Sequence, residues 1–356
     1  MSFEQPNKEI KATSEDLKLE NSSNDLEMKE ADVLSEEELT PEEVREIMET
    51  SEKEIELLDI LEKWTAESIT EMKQRAKHFG IDESIVNEIK DDIKQSLERD
   101  FYRIMTEEGV EELKKSSLNI ASKLAEKENK LDVKSLIERI SKKDVVDLLS
   151  RKLTKEISTE EEMILDIFSY VNEKGSLGTY DQRSGKIDIS LFNSKNLKEY
   201  MGTLMHEFTH KALSEMVPEI TKKEISFSIV KELRQATGEI KGRKDMTDKE
   251  RTQDLFFQNL VAINESLAYL AEKYYGSKKE PPYNFYLNKT HPGLFKRIYD
   301  QISVATEGKS LTAFDYFAAR LYGSFANSWK EDMSQEDLKE IVISTMKEIN
   351  KFKNES

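Results

Sequence analysis

Apolar residues recur at helical spacing along most of this 356-residue chain. The first clear helix start is Thr40-Pro41-Glu42-Glu43, where a capping residue precedes a proline at the first helical position and acidic residues that suit the positive end of the helix dipole. The pattern then predicts one long helix over residues 43–77, which ends at Phe79-Gly80. Further helical segments follow, so residues 41–155 are predicted to form a helical bundle domain.

A hairpin gives the only convincing β pattern. Residues 177–182 and 186–192 flank Arg183-Ser184-Gly185, a tight turn with a glycine where a positive φ is needed. Isoleucines alternate with polar residues in the second of these strands. A helix is predicted directly after the hairpin, over residues 196–216.

Composition changes near residue 158. Of the 29 aromatic residues, 24 lie beyond this point, together with ten of the twelve glycines. Residues 156–356 are therefore predicted to form a second domain, and the fold class is mainly α with a small β-sheet. Helix starts in this region are predicted from capping residues at Ser158, Thr221, Thr247, Ser310 and Ser334.

The first 40 residues differ from the rest of the chain. They contain twelve acidic and four basic residues, and Phe3 is their only aromatic. Such a segment buries too little apolar surface to offset its chain entropy. Residues 1–40 are therefore predicted to be a disordered acidic tail, which either solubilises the protein or binds a partner.

Charge and composition exclude several classes of function. A formal net charge of −18 argues against a general electrostatic surface for nucleic acid. The absence of cysteine excludes disulfides, thiol catalysis and cysteine–zinc sites. The N-terminus lacks the basic and apolar regions of a signal peptide, and no apolar run approaches the roughly 20 residues that span a bilayer. We therefore expect a cytoplasmic protein with no nucleic-acid or membrane partner, although export without a cleaved signal is compatible with the sequence.

The candidate chemistry lies in His206-Glu207-Phe208-Thr209-His210, on the helix that follows the hairpin. Side chains four residues apart lie on one face of a helix, so both imidazoles can reach one metal ion. Glu207 lies beside the first of them and can act as a carboxylate base. The chain has only four histidines, and the helix is apolar on both sides of the motif, where unsatisfied histidines would be costly.

A third ligand is predicted downstream. Glu265 lies within an apolar stretch, where a carboxylate is rarely left without a partner. Glu272 is the rival candidate, two turns further on and on roughly the same helix face. We favour Glu265, because Glu272 lies beside Lys273 near the predicted helix end, where solvent exposure explains it well.

These two segments resemble the thermolysin-like gluzincins. In that group an H-E-x-T-H helix is followed by a helix with Asn-Glu, here Asn264-Glu265. The resemblance covers about a tenth of the chain. It implies a zincin-like metallopeptidase domain after the helical domain, one zinc ion per chain, His206, His210 and Glu265 as metal ligands, and Glu207 as general base.

This chain departs from the family in two ways. The gap between the two motifs is longer than in thermolysin. The family often has an aspartate four residues after the ligand glutamate, which orients a zinc histidine, whereas this chain has Tyr269. We therefore expect the groups that orient the ligands to be arranged differently here.

Two further parts of a peptidase site are expected. A donor must stabilise the developing oxyanion, and the candidates are left open among one histidine and several tyrosines. A peptide substrate is expected to add as a strand at the edge of the hairpin. The candidate donors are His291, Tyr283, Tyr286, Tyr316 and Tyr322.

The function that the sequence favours is a zinc-dependent metallopeptidase acting on a peptide or protein substrate. Glu207 is expected to take a proton from a zinc-bound water and to pass it to the leaving amine. One alternative is a catalytically inactive zincin-fold protein that binds zinc or peptides. The other is a helical interaction protein with an accidental motif. The sequence gives neither the cleavage preference nor the oligomeric state.

Overall fold

A computed structural model describes residues 41–128, 132–154, 157–173, 178–190, 197–237, 246–276, 281, 291 and 293–355. Within these ranges the protein is mainly helical with one two-stranded antiparallel sheet, which confirms the predicted fold class at that level. The elements in chain order are α1 (Pro41–Phe79), α2 (Ser84–Met105), α3 (Glu107–Glu128), α4 (Asp132–Arg139), α5 (Lys142–Thr154), α6 (Thr159–Glu173), β1 (Gly178–Asp181), β2 (Lys186–Ile189), α7 (Leu197–Met216), α8 (Pro218–Ala236), α9 (Asp248–Tyr274), α10 (Leu294–Thr306), α11 (Leu311–Asn327) and α12 (Gln335–Asn354).

Helix α1 buries a stripe of side chains separated by one or two helical turns, as the sequence pattern predicts. It ends at Gly80, whose φ of 70° suits a residue without a Cβ. The N–H of Ile81 then donates to the carbonyl of Ala76 at 3.1 Å, which satisfies a carbonyl left free at the helix end. The buried stripe consists of Leu57, Leu61, Trp64, Met72 and Phe79.

The hairpin lies between α2 and α7. Its register pairs Gly178 with Ile189 and Tyr180 with Ile187. The N–H of Ile187 donates to the Asp92 carboxylate of α2 at 3.0 Å, so it points away from β1. In an antiparallel pair the opposite residue then also directs its N–H outward. The outer edge of β1, at Tyr180, therefore faces away from β2, towards the side where α7 lies.

Helix α1 packs directly against α7 and α11. Phe79 meets Phe208 of α7 edge to face, with ring centroids 6.3 Å apart. The guanidinium of Arg75 pairs with the Asp315 carboxylate of α11 at 2.7 Å, and both side chains are fully buried. The predicted domain boundary at residue 155 stays a prediction, but the predicted bundle and the motif helix share these contacts.

The two tryptophans pack against the helices that carry the predicted metal ligands. The Trp64 ring of α1 lies 5.7 Å from that of Tyr200 on α7. Trp329 lies 5.0 Å from Phe256 and 4.8 Å from Phe257, both on α9.

Most predicted helix starts are confirmed, but the start of α8 is not. Capping boxes form at Ser158 and Thr247, and a serine caps α11. The cap predicted at Thr221 is wrong by four residues, because α8 begins at Pro218 and Val217 is its cap. A proline is well suited to the first helical position, so the chain re-enters a helix immediately after Val217.

No helix in the described ranges combines the length and the apolar character needed to cross a bilayer. The predicted acidic tail, residues 1–40, lies outside the described residues.

Candidate metal centre

Helix α7 carries the motif in the interior of the protein. Leu204, Met205 and Phe208 are fully buried, and His206 and Glu207 are only 8% and 7% exposed. Their polar atoms therefore have little access to water and need partners within the protein. Helix α9 packs along α7 and supplies those partners.

Three side chains converge as the sequence predicts. The Nε2 atoms of His206 and His210 are 3.0 Å apart, and Nε2 of His210 is 3.8 Å from a carboxylate oxygen of Glu265. One ligand atom from each of the three lies within 4.8 Å of the others. In the described part of the chain this is the one group of His, Asp and Glu side chains close enough to share a metal ion.

The other ring nitrogens face hydrogen-bond acceptors. Nδ1 of His210 is 2.5 Å from the side-chain oxygen of Asn264, and Nδ1 of His206 is 3.2 Å from the Glu272 carboxylate. These acceptors favour a proton on Nδ1 in both rings, although the contact of His206 with Glu272 falls outside normal hydrogen-bond geometry. The two Nε2 atoms, 3.0 Å apart, then need a shared proton or a metal ion between them.

The rival carboxylate thus occupies a different position from Glu265. Glu272 is 6% exposed and lies on the Nδ1 side of His206, opposite the point where the Nε2 atoms converge. A carboxylate in this position fixes the orientation of an imidazole ligand and raises its basicity. Glu272 is therefore placed to orient the His206 ring.

Tyr269 itself faces the centre. Its ring meets the His206 ring edge to face, with centroids 4.6 Å apart. Burial raises the pKa of the Tyr269 hydroxyl, and the negative charges of Glu265, Glu272 and Glu207 raise it further. The hydroxyl therefore lies among the carboxylates of the site, as a neutral donor.

Glu207 lies between α7 and the hairpin. Burial raises the pKa of its carboxyl, and the neighbouring histidines and the backbone N–H of Tyr180 only partly offset this. A base works best when its pKa approaches the working pH, so this direction suits proton transfer.

The hairpin approaches Glu207 closely because residue 178 is glycine. A Cβ on Gly178 would lie 2.9 Å from the Thr203 methyl and 3.3 Å from the Glu207 Cγ. The first of these separations is shorter than real Cβ contacts allow, so a larger residue would force β1 away from α7.

Negative charge exceeds positive charge around the motif. Burial alone lowers the pKa of His206, but the hydrogen bond to Glu272 and the charges of Glu207 and Glu265 outweigh it and raise that pKa. The protein therefore favours a positive charge at this point.

Of the predicted oxyanion donors, one lies beside the centre, two lie elsewhere and two are outside the described residues. His291 is buried and pairs with Asp254 at 3.4 Å. Tyr316 is 57% exposed and its ring packs at a tilt against that of His78. Tyr322 is fully buried beside Asn264. Tyr283 and Tyr286 are not among the described residues.

The sequence interpretation missed three roles around the centre. Tyr269 and Glu272 follow Glu265 by four and seven residues, so helical spacing alone places them on its face. Glu224 of α8 also lies near Glu265, whose charge contributes to raising its pKa. No sequence pattern pointed to Glu224, because a capping box already explained it.

The donor set fits zinc. Zinc–nitrogen bonds of about 2.0–2.1 Å at tetrahedral angles hold two nitrogen ligands roughly 3.3 Å apart. The observed 3.0 Å between the Nε2 atoms is close to this value. Two imidazoles and one carboxylate also leave a fourth position free, as in catalytic zinc sites.

Comparisons with protein-family models, with curated proteins and with solved structures found no match to this chain.

Proposed function

We propose that this protein is a zinc-dependent metallopeptidase. The observation that carries the proposal is the convergence of two imidazole Nε2 atoms, 3.0 Å apart, on one carboxylate, while both Nδ1 atoms face acceptors. This arrangement prepares the histidines as metal ligands, with Glu207 next to them.

His206, His210 and Glu265 would hold the ion, and Asn264 and Glu272 would orient the imidazoles. A zinc ion bound there supplies a Lewis acid that polarises a peptide carbonyl and acidifies water. Glu207 accepts the proton of the attacking water and then passes it to the leaving nitrogen. The hydroxyl of Tyr269 donates a hydrogen bond to the carbonyl oxygen as negative charge develops on it.

The hairpin supports a peptide substrate in particular. The outer edge of β2 is covered by α2, where Asp92 takes the Ile187 N–H. The edge of β1 lies beside Glu207, which takes the Tyr180 N–H, so a peptide adding as a strand there would displace this hydrogen bond and bring its backbone to the base.

The inactive alternative rested on the missing aspartate at position 269. Glu272 lies 3.2 Å from Nδ1 of His206, where a carboxylate can orient this imidazole, and this supports the active alternative.

Metal content tests the proposal first. Wild type, Glu265→Ala and the control Glu232→Gln are loaded with zinc, dialysed and measured by elemental mass spectrometry. We expect about one zinc per chain in wild type and the control, and a large loss in Glu265→Ala. Glu232 suits the control because its side chain is 65% exposed and pairs with Arg183 across the surface.

Cleavage of an internally quenched peptide library tests the activity. Zinc-loaded wild type should cleave, and a chelator should abolish cleavage. No zinc in wild type after loading would overturn the metal site. A full zinc complement without any cleavage would overturn the peptidase proposal and leave a metal-binding protein.

A further inference from the structure

Glu224 is a carboxylate without a cationic partner. It lies on α8, and its one hydrogen bond among the described residues comes from the Gln182 amide at the limiting distance of 3.5 Å. Burial raises the pKa of its carboxyl to about 7, the hydrogen bond lowers it in part, and the nearby charge of Glu265 raises it further. Within the described ranges no Lys, Arg or His pairs with it.

Outside the metal centre, two fully buried aspartates are paired, whereas Glu224, which is partly buried, is not. Asp315 binds Arg75, and Asp254 binds both Lys231 and His291. An unpaired carboxylate costs free energy wherever water cannot solvate it fully. The exception at Glu224 therefore requires an explanation.

A second unsatisfied group lies beside Glu224. Tyr322 is fully buried, and its hydroxyl makes no hydrogen bond of normal geometry, although it lies near the Asn264 side chain. After burial, the charge of Glu224 contributes most to raising the pKa of this hydroxyl, so the two groups are close neighbours. A buried hydroxyl without a partner requires an explanation, and a group that binds there is one.

These groups adjoin the metal centre. Asn264 connects Tyr322 to the metal centre. Its side-chain oxygen accepts a hydrogen bond from His210, and Tyr322 lies next to it. Gln182 belongs to the turn that follows β1, the strand proposed to pair with substrate. A substrate bound along β1 would therefore pass near Glu224.

We infer that Glu224 and Tyr322 form a subsite that binds the cationic group, ammonium or guanidinium, of a peptide substrate beside the metal centre. This inference rests on the proposed peptidase function. An ammonium group has three donors and no acceptor, and it would find acceptors in the Glu224 carboxylate and the Tyr322 oxygen. The net charge of −18 also attracts cationic peptides to the protein.

The cation has two sources, a lysine or arginine side chain or the N-terminus of the peptide. Matched peptides distinguish them. One series carries lysine or its neutral Nε-acetyl form at each position around the scissile bond, and each peptide is made with a free and with an acetylated N-terminus. A side-chain subsite responds to lysine acetylation, whereas an N-terminal subsite responds to blocking of the terminus.

Cleavage kinetics are measured for wild type, Glu224→Gln, Tyr322→Phe and Glu232→Gln. We expect wild type to prefer the cationic peptide at one position by about tenfold in kcat/KM, mainly through KM. The preference should fall to near one in Glu224→Gln, fall less in Tyr322→Phe and persist in Glu232→Gln. Glu224→Gln keeps the side-chain shape, and circular dichroism checks its folding.

Binding gives a readout that does not need turnover. Labelled cationic and neutral peptides are titrated into zinc-loaded Glu207→Gln and into the same protein with Glu224→Gln added, and fluorescence anisotropy is followed. The subsite is supported if Glu207→Gln binds the cationic peptide about tenfold more tightly than the neutral peptide and the double variant does not. Equal binding of both peptides to Glu207→Gln overturns it. Failure of the peptidase proposal would be seen separately, because zinc-loaded wild type would then cleave none of the peptides.

Discussion

Two buried polar clusters meet helix α7 at adjacent residues, and they are built on opposite principles. In the first, Arg75 binds Asp315 through two nitrogens and also donates to the carbonyl of Met205 at 3.2 Å. In the second, which begins at the next residue, His206 and His210 are surrounded by three carboxylates. The first cluster pairs a cation with an anion, whereas the second contains more acid than the protein itself neutralises.

This difference in charge balance indicates that the first cluster has a structural role and the second a chemical one. A buried charge with a matched partner can be stable in every state of the protein. A buried excess of carboxylates is stabilised only when a cation binds to it. The structure thus places its structural ion pair next to the centre that we propose to bind a cation, and the predictions below test that division.

The largest effect should follow Glu207→Gln. This change keeps the size of the side chain and removes the base, so kcat should fall about 10²–10⁴-fold, or about 3–5 kcal/mol in activation free energy. Steady-state kinetics on a cleaved peptide measure it, and zinc content should stay at the wild-type value. Turnover near wild type would remove Glu207 from the base role.

Arg75→Met should affect stability instead. It leaves Asp315 buried without its main partner and should lower the free energy of unfolding by about 3–5 kcal/mol. Denaturant unfolding of metal-free protein measures this loss. Replacing both residues, Arg75→Met with Asp315→Leu, should recover much of it.

The control for this experiment is Arg183→Met, which removes an exposed pair with Glu232. It should change stability by less than about 1 kcal/mol. Equal losses of unfolding free energy in Arg75→Met and Arg183→Met would contradict the structural role assigned to the first cluster.

Tyr269→Phe should reduce catalysis without removing the metal. Loss of one oxyanion donor typically costs about 10²-fold in kcat, or about 2.7 kcal/mol. The ring contact with His206 is kept, so KM and zinc affinity should change little. A parallel measurement with a transition-state analogue should show weaker binding by a similar factor. An unchanged kcat would assign the donor to another residue.

Glu272→Ala should have the smallest effect of the four. Removing a group that orients a metal ligand typically weakens metal affinity about 10–100-fold. Competition with a chromophoric zinc chelator measures the affinity. A complete loss of zinc, equal to that in Glu265→Ala, would mean that Glu272 is itself a ligand.

The sequence predicted the elements of the centre well and their mutual geometry poorly. The motif helix, the hairpin and the helix of Glu265 have strong periodic patterns, and these patterns depend on local spacing. Glu265 followed from the cost of leaving a carboxylate unpaired in an apolar stretch. The roles of Tyr269 and Glu272 depend on which ring nitrogen each approaches, and spacing along one helix does not contain that information.

Glu224 shows a different limit. Thr221-Lys222-Lys223-Glu224 matches a capping box, and that local explanation was sufficient on sequence grounds. Because Pro218 starts the helix earlier, Glu224 lies inside α8 and beside Glu265. Its environment depends on Gln182 and Glu265, which lie 42 and 41 positions away in the sequence. No local pattern encodes such distant neighbours.

The packing of the two tryptophans has a practical consequence. Trp64 contacts α7 through Tyr200, and Trp329 contacts α9 through Phe256 and Phe257. Each ligand-bearing helix therefore packs against its own intrinsic fluorophore. The variants Trp64→Phe and Trp329→Phe separate the two emission signals, so a zinc titration can be followed helix by helix without an added label.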